Sequence, residues 1–420
     1  MKSQKSFAIV NALIFDGERI MDSQPVIVEG TTIAKIGGKL PGGIEVIDGR
    51  GCMLLPGLID AHTHTDIDRL RAALSFGVTT EFEMMGHWSA EERKALEEDD
   101  SAASVISPGM AVTPPGGHPD ELMGGGPPPG FEGEEPPEEI LGYEVPSFET
   151  PEETMRFVDD LVANGSDFIK IMIEEGTVCG TPGMPMLKNE VIIAAVKQAH
   201  KHGKLAVAHA LTAAAARQAV EAGMDCLAHV FVDRPADTPE LIEAIVRGGV
   251  FVTPCLCLNS SLVGNTGELF AADERVHSRL SERWLKTLQS SFSTYPQGKF
   301  EDSLANVSDL HKAGVNLLVG TDVSVPVPSL GGLAHGASVH HEMQLLVLAG
   351  LSPIEALRSA TSIPARCFGL NNRGSIFEGA RADLLLVEGD PTVNISDTLN
   401  IRHIWRRGSY RGDGKLVGKE

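Results

Sequence analysis

From about residue 53 to residue 369, short apolar runs alternate with helical stretches, and this rhythm constrains the fold more than any other feature of the sequence. Chains of that kind build a parallel sheet wrapped by helices. Eight runs stand out: LLPGLIDAH (54–62), VTTEFEM (78–84), ASVISPGMA (103–111), DFIKIMI (167–173), KLAVAHA (204–210), DCLAHVFV (225–232), VFVTPCL (250–256) and NLLVGTD (316–322). Helical patterns such as DIDRLRAAL (66–74), PEETMRFVDDLVANG (151–165), NEVIIAAVKQAHKHG (189–203) and TAAAARQAVEAG (212–223) fall between them. Eight strand–helix units in about 300 residues fit a closed (β/α)8 TIM barrel better than an open doubly wound sheet. In such a barrel the functional groups gather where the strands end.

The two ends of the chain read differently. SFAIVNALIF and PVIVEGTTIAKIGG, with Asp-Gly turns at 16–17 and 48–49, are short strands, and the stretch after Gly374 has the same character. Chain ends tend to meet at the surface. The expectation is therefore a composite β domain from residues 1–55 and 370–420, and a barrel over 56–369. The Pro- and Gly-rich, acidic stretch 113–146 is too long for a plain connector. It is expected to be a lid or substrate loop, with a disordered acidic insertion as the alternative.

Composition narrows the partners. The 420 residues carry a formal charge of −22 and are 42% hydrophobic, with mean hydropathy near zero at −0.01. No basic stripe is visible for nucleic acid, and no apolar run reaches the ~18 residues of a membrane span. The N-terminus passes straight into a strand pattern without a signal-peptide core, and the six cysteines show neither CxxC pairs nor dense spacing. A cytoplasmic protein without disulfides, acting on a small molecule and forming a homo-oligomer as related barrels often do, is the expectation. Cys255 and Cys257 read either as small apolar packers or as a soft-metal or reactive pair.

The polar residues at the ends of the runs carry the chemistry. Asp60-Ala-His62-Thr-His64 closes the first run, and residues i and i+2 of a strand share a face, so the two imidazoles can hold one metal ion together. His209 and His229 take equivalent positions on neighbouring strands. Four imidazoles converging on one rim would otherwise leave several buried polar groups without partners. Asp322 ends the eighth run, which barrel closure sets beside the first; it can bind metal and accept a proton, or merely cap a helix.

Lys170 shares a face with Phe168 and Met172, where an ammonium is costly to bury. It must pair with Glu174, Glu175 or Asp322, or else stay neutral and react; a neutral amine that captured carbon dioxide would become a carbamate able to bridge two metals. His118 lies in the Gly-rich loop, where a solvated residue is the plain reading. His335, just beyond the eighth run, is a candidate substrate contact. Arg234 is a candidate partner for a substrate carboxylate, or half of a surface ion pair. His200 and His202 read as structural, at a helix C-terminus, and His340 and His341 as packing or surface residues.

Together these motifs resemble the amidohydrolase superfamily: PGLIDAHTH at 56–64, Lys170, His209, His229 and GTD at 320–322 match its metal-site pattern in order and type. The segment 374–391 resembles the returning β-sandwich. The lysine run DFIKIMIEEG, the stretch 335–364 and Gly116-Gly117-His118 are similar to the imidazolonepropionase-like branch that contains metal-dependent dipeptidases. Phe231 and Val232 follow His229 where those peptidases often carry a tyrosine holding a substrate carboxylate, which makes Phe231 a candidate substrate contact.

The resemblance implies two divalent metal ions. His62, His64 and Asp322 would hold the first and His209 and His229 the second, with carboxylated Lys170 and a hydroxide bridging them. Imidazole and oxygen donors suit Zn2+, although manganese, iron and cobalt also fit. It also implies hydrolysis of a C–N amide bond in a small N-acyl amino acid, dipeptide or related amide, with Asp322 moving the proton and His118 polarising the carbonyl. Phosphotriester or lactone hydrolysis on the same centre, base deamination, and a non-catalytic metal-binding scaffold are the competing readings.

Overall fold

The computed structural model describes residues 6–123 and 145–412; most of the expected lid, residues 124–144, lies outside the described residues. Seven strands precede or open the barrel: β1 (Phe7–Val10), β2 (Leu13–Phe15), β3 (Ile20–Met21), β4 (Val26–Glu29), β5 (Thr32–Ile36), β6 (Glu45–Asp48) and β7 (Cys52–Pro56). The barrel strands are β8 (Leu58–Thr63), β9 (Val78–Glu83), β10 (Ser104–Ile106), β11 (Ile169–Met172), β12 (Ala206–His209), β13 (Cys226–Ala228) and β14 (Phe251–Thr253). Three more follow at the end: β15 (Leu384–Glu388), β16 (Ile401–Arg406) and β17 (Ser409–Tyr410).

β8, β9 and β10 form one parallel sheet, and β11 to β14 form another. Single bridges join them into a ring. Val112 pairs with Ile171 beside β11, Leu317 pairs with Val252 of β14, and Val323 pairs with Thr63 of β8. The eighth run is the one that departs from expectation. It supplies bonds to both neighbours, Leu318 N to the Val252 carbonyl (2.9 Å) and Ala61 N to the Val319 carbonyl (2.8 Å), yet it forms no continuous strand. Its chain turns at Asp322, whose φ of 59° lies in the left-handed region, and a ladder cannot continue through that conformation.

The helices are set by their ends. Asp66, Thr150 and Thr212 cap the helices Ile67–Ser75, Pro151–Ala163 and Ala213–Ala222 through side-chain oxygens, satisfying backbone donors that a helix leaves open. Gly223 ends the last of these in the left-handed conformation that a Cβ would oppose. Inside the ring, Phe82, Phe168, Val207, Cys226, Phe251 and Leu318 form an apolar cluster, with Phe368 edge-on to Phe82, Phe168 and Phe251. Phe168 and Val207 sit two positions before Lys170 and His209 on the same strand faces, so this cluster is the floor beneath the polar site.

Strands from both ends of the chain share one sheet of order β17-β16-β15-β7-β2-β3. It faces a second sheet of order β5-β4-β1-β6, and Phe7, Ile9, Val28, Leu54, Leu384, Leu386 and Trp405 fill the space between. Phe7 and Trp405 stack at 5.4 Å. Buried charges fasten this layer to the barrel: Arg406 donates to Ser104 Oγ (2.8 Å) and Arg381 to Glu97 Oε2 (3.0 Å). Among the described residues, no helix is long and apolar enough to cross a membrane.

Candidate metal centre

β8, β11, β12, the turn after β13 and the eighth run end at one rim, and their polar side chains meet there. His62 Nε2 lies 3.0 Å and His64 Nε2 3.2 Å from Asp322 Oδ1, and His229 Nε2 lies 3.9 Å from Asp322 Oδ2. His229 Nε2 is also 3.1 Å from His209 Nδ1, and His209 Nε2 is 3.4 Å from Glu174 Oε2. Two groups of potential ligands have their donor atoms within 4.8 Å of one another: His62, His64 and Asp322, and His62, His229 and Cys255.

The backbone is bent to achieve this. His229 (φ 123°), Cys255 (φ 52°) and Asp322 (φ 59°) all hold positive φ without being glycine. Strain of this kind persists where the surroundings over-determine it, and it clusters at functional sites. Gly320 serves the same purpose by its size. A Cβ there would fall 2.2 Å from Thr253 Cγ2 and 2.9 Å from His62 Cβ, so only glycine lets the eighth run lie against β8 at this point. Asp60 locks the register from below, accepting from Thr321 Oγ1 (2.7 Å) and from the amides of Thr321 (3.1 Å) and His62 (3.2 Å).

The electrostatics are those of a site built to hold cations. Burial pushes His62 down to about 3 and His209 down to about 4; burial and the neighbouring His62 and His209 rings push His229 well below the usual imidazole range. Neutral imidazoles are the ligating form. Burial also opposes charge on His64, but its bonds to Asp322 and Glu83 outweigh that and raise it to about 10. Asp322 is buried yet held well below the usual carboxylate range by the surrounding rings, His62 foremost.

Lys170 is 1% exposed, and its Nζ has no hydrogen-bond partner. Burial lowers it to about 8. The pairing with Glu174, Glu175 or Asp322 that a buried ammonium would demand is not made; Glu174 accepts instead from the Gly176 amide (2.7 Å). His229 Nδ1 is also buried without a hydrogen bond, and His209 Nε2 has the 3.4 Å approach to Glu174 Oε2. Native proteins leave few buried polar atoms unsatisfied, and the unpartnered Nζ lies beside the crowded His229 Nε2, His209 Nδ1 and Asp322 oxygens, the atoms that divalent ions would take. The residues present therefore fit a metal centre.

Several contributors escaped the sequence reading. Glu83, the last residue of β9, accepts from Thr65 N (2.6 Å) and Met85 N (3.0 Å) and lies 3.2 Å from His64 Nδ1, fixing that ring. Its position at a strand end was the available signal. Cys255, left open between packing and soft-metal roles, lies with Sγ 3.6 Å from His62 Nδ1. His118 lines the cavity above the rim, stacks on His209 with ring centroids 4.4 Å apart and bonds Glu121 Oε1 through Nδ1 (2.6 Å).

Three expected substrate contacts lie away from the cavity lining. Phe231 is fully buried, because the positive φ at His229 turns the chain and sends the following side chains into the apolar core. Arg234 binds Asn306 Oδ1 (2.6 Å) and Asp309 on the helix Phe300–Lys312, an ion pair. His335 is buried between Glu81 Oε1 (3.0 Å) and the Ser324 carbonyl (3.1 Å). None of the three lines the cavity. His200 and His202 pair with Asp225 and Asp159 on the outside, and His340 is buried against Thr398 and the Phe76 carbonyl.

The cavity over the rim has a volume of about 840 Å³. Met85, Trp88, Met110, Met172, Leu258 and Phe292 contribute to largely apolar walls, and His62, His64, Lys170, His209 and Asp322 line its polar base.

The sequence pattern of the amidohydrolase family matches residues 53–415. The chain belongs to that family. Curated relatives match this amidohydrolase only in part. An adenine deaminase from Geobacillus kaustophilus is 37% identical over 71 residues, 17% of this chain and 11% of that enzyme. An imidazolonepropionase from Deinococcus deserti is 31% identical over 105 residues, 23% of this chain and 24% of that enzyme. The match thus spans about a tenth to a quarter of these relatives' length.

Likeness of fold runs over the whole amidohydrolase chain. A Xaa-Pro dipeptidase with bound methionine in its active site superposes with a TM-score of 0.72 at 20% identity, over 97% of this chain and 100% of that one. A prolidase complexed with N-methylphosphonate-L-proline gives 0.72 at 22% identity, over 97% and 100%. The ochratoxinase of A. niger gives 0.71 at 20% identity, over 99% of each chain.

Proposed function

We propose that this amidohydrolase hydrolyses the C–N bond of a small amide, an N-acyl amino acid or a dipeptide, with two divalent cations at the rim. The observation that carries the reading is the convergence of His209 Nδ1, His229 Nε2 and the unpartnered Lys170 Nζ beside the His62–His64–Asp322 triad. His62, His64 and Asp322 would hold one ion and His209 and His229 the other, with Lys170, as its carbamate, shared by both. The imidazole-rich set favours zinc. Bound divalent ions of this kind polarise a carbonyl and make water nucleophilic near neutral pH.

The chain's own groups do the rest. Asp322 Oδ2, turned from the His62 and His64 contacts made by Oδ1, accepts a proton from the attacking water and returns it to the departing nitrogen, which could not leave as an anion. His118 donates to the carbonyl oxygen as charge builds there. Glu121 can only accept when ionised, so it orients His118 with Nδ1–H toward itself. With Nδ1 held by Glu121, Nε2 is the ring atom left to meet the substrate oxygen, a contact of a kind whose removal elsewhere costs about 10²–10³ in rate. The apolar walls receive the side chain or acyl group, and the dipeptidase and prolidase among the structural neighbours support a dipeptide or N-acyl amino acid.

A panel tests this: N-acyl amino acids, dipeptides, lactones, phosphotriesters and adenine, offered to protein reconstituted with zinc. The expected result is turnover of an amide that disappears on chelation and in Lys170→Ala and Asp322→Asn. Turnover confined to lactones, phosphotriesters or adenine, or amide turnover that survives Lys170→Ala undiminished, overturns it.

A further inference from the structure

Beside the rim, on the wall of the cavity, lies a second group of ligating side chains that the proposed chemistry does not use as metal ligands. His118, Glu121 and Cys179 bring one nitrogen, one carboxylate oxygen and one sulfur within 4.8 Å of each other. The side chains of His118 and Glu121 are only 11% and 13% exposed. Glu121 spends Oε1 on His118, while its Oε2 is buried without a partner. The residues come from separate places in the chain: His118 and Glu121 span the start of the short helix Asp120–Met123, and Cys179 lies in the turn after β11.

We propose that His118, Glu121 and Cys179 form a third cation site, for a soft divalent ion such as zinc or cadmium, and that filling it inhibits the enzyme. A thiolate, an imidazole and a carboxylate are the donor set of zinc-type ions, whereas magnesium and calcium take oxygen ligands. Three protein ligands leave one tetrahedral position open to water from the cavity. Ligation releases the thiol proton to solvent and gives Glu121 the partner it lacks.

The inhibition follows from His118. Its ring stacks on His209 at the rim, and a ring held by a cation on the cavity wall is no longer available to meet a substrate carbonyl there. This part rests on the proposed amide hydrolysis; the binding part stands without it.

The test loads purified full-length protein with Cd2+ and, separately, with Co2+, and counts ions per chain after gel filtration. Wild type is expected to take one equivalent more than Cys179→Ala or Glu121→Gln, with affinity for that ion weakened by more than about 100-fold in either variant, beyond what even an outer-sphere partner costs. Thiolate-to-cobalt charge-transfer absorption should vanish in Cys179→Ala and persist in Cys255→Ala, which separates this site from the thiol near His62. Equal stoichiometry in wild type and both variants, or a charge-transfer band that follows Cys255, overturns the site. Where an amide substrate is turned over, excess zinc should inhibit wild type and not Cys179→Ala; equal inhibition of both overturns the regulatory part. Loss of all amide turnover with the extra equivalent still bound would refute the proposed function and leave the site standing.

Discussion

Replacing Lys170 with methionine should make the metal-free protein more stable and the enzyme inactive. The ammonium is buried and without a hydrogen bond, and its lowering from 10.5 to about 8 by burial corresponds to about 3 kcal/mol of penalty on the charged form. The unfolded chain takes up this proton below about 10.5, the folded chain only below about 8. Between those values the unfolded state binds more protons, so the wild type gains stability as pH rises, and below about 8 it bears the whole penalty. Methionine fills a similar volume without charge. In metal-stripped, carbonate-free buffer, urea unfolding followed by tryptophan fluorescence should therefore show the variant about 3 kcal/mol more stable at pH 7. The advantage should shrink through pH 8 to 10.5 and leave only a packing difference above that. A wild type more stable than Lys170→Met at pH 7, or a difference independent of pH, would refute the claim that this amine is buried without compensation. Activity and stability moving in opposite directions is the signature of a residue retained for chemistry.

Glu83→Gln turns an amide NH2 toward either the Thr65 amide or the pair formed by Met85 N and His64 Nδ1; chelator competition should show one zinc equivalent weakened about 10- to 100-fold while the other is held as before. Gly320→Ala places a methyl into Thr253 and His62 and should lower zinc content, measured by elemental analysis, together with activity, while the far-ultraviolet circular dichroism is unchanged. Arg234→Ala removes a pair whose side chains are each about one-third exposed. It should cost at most about 1 kcal/mol, and kcat/KM for the best amide substrate should not move.

The residues that belong to the barrel rim were legible because each sits at the end of an apolar run, and period-two alternation fixes the face it occupies. His62, Lys170 and His209 need only their own strands to point the right way. After β13 local period is silent: Phe231 rests on the family resemblance and Arg234 on its nearness to His229, while the backbone leaves the strand at His229 with a positive φ.

What the chain determined by itself was the barrel, its layer of strands from both termini and the order of candidate ligands, all products of local hydrophobic period. Only the tertiary structure decided how the ring closes. Single bridges at Leu317 and Val323 do this in place of a strand, since Asp322 trades ladder bonds for a conformation that points its carboxylate at His62 and His64. Tertiary structure alone also decided that Lys170 stands without a hydrogen-bond partner, that Glu83 holds His64, and that Glu121 meets Cys179. Those depend on distances between residues far apart in sequence, which no local pattern encodes.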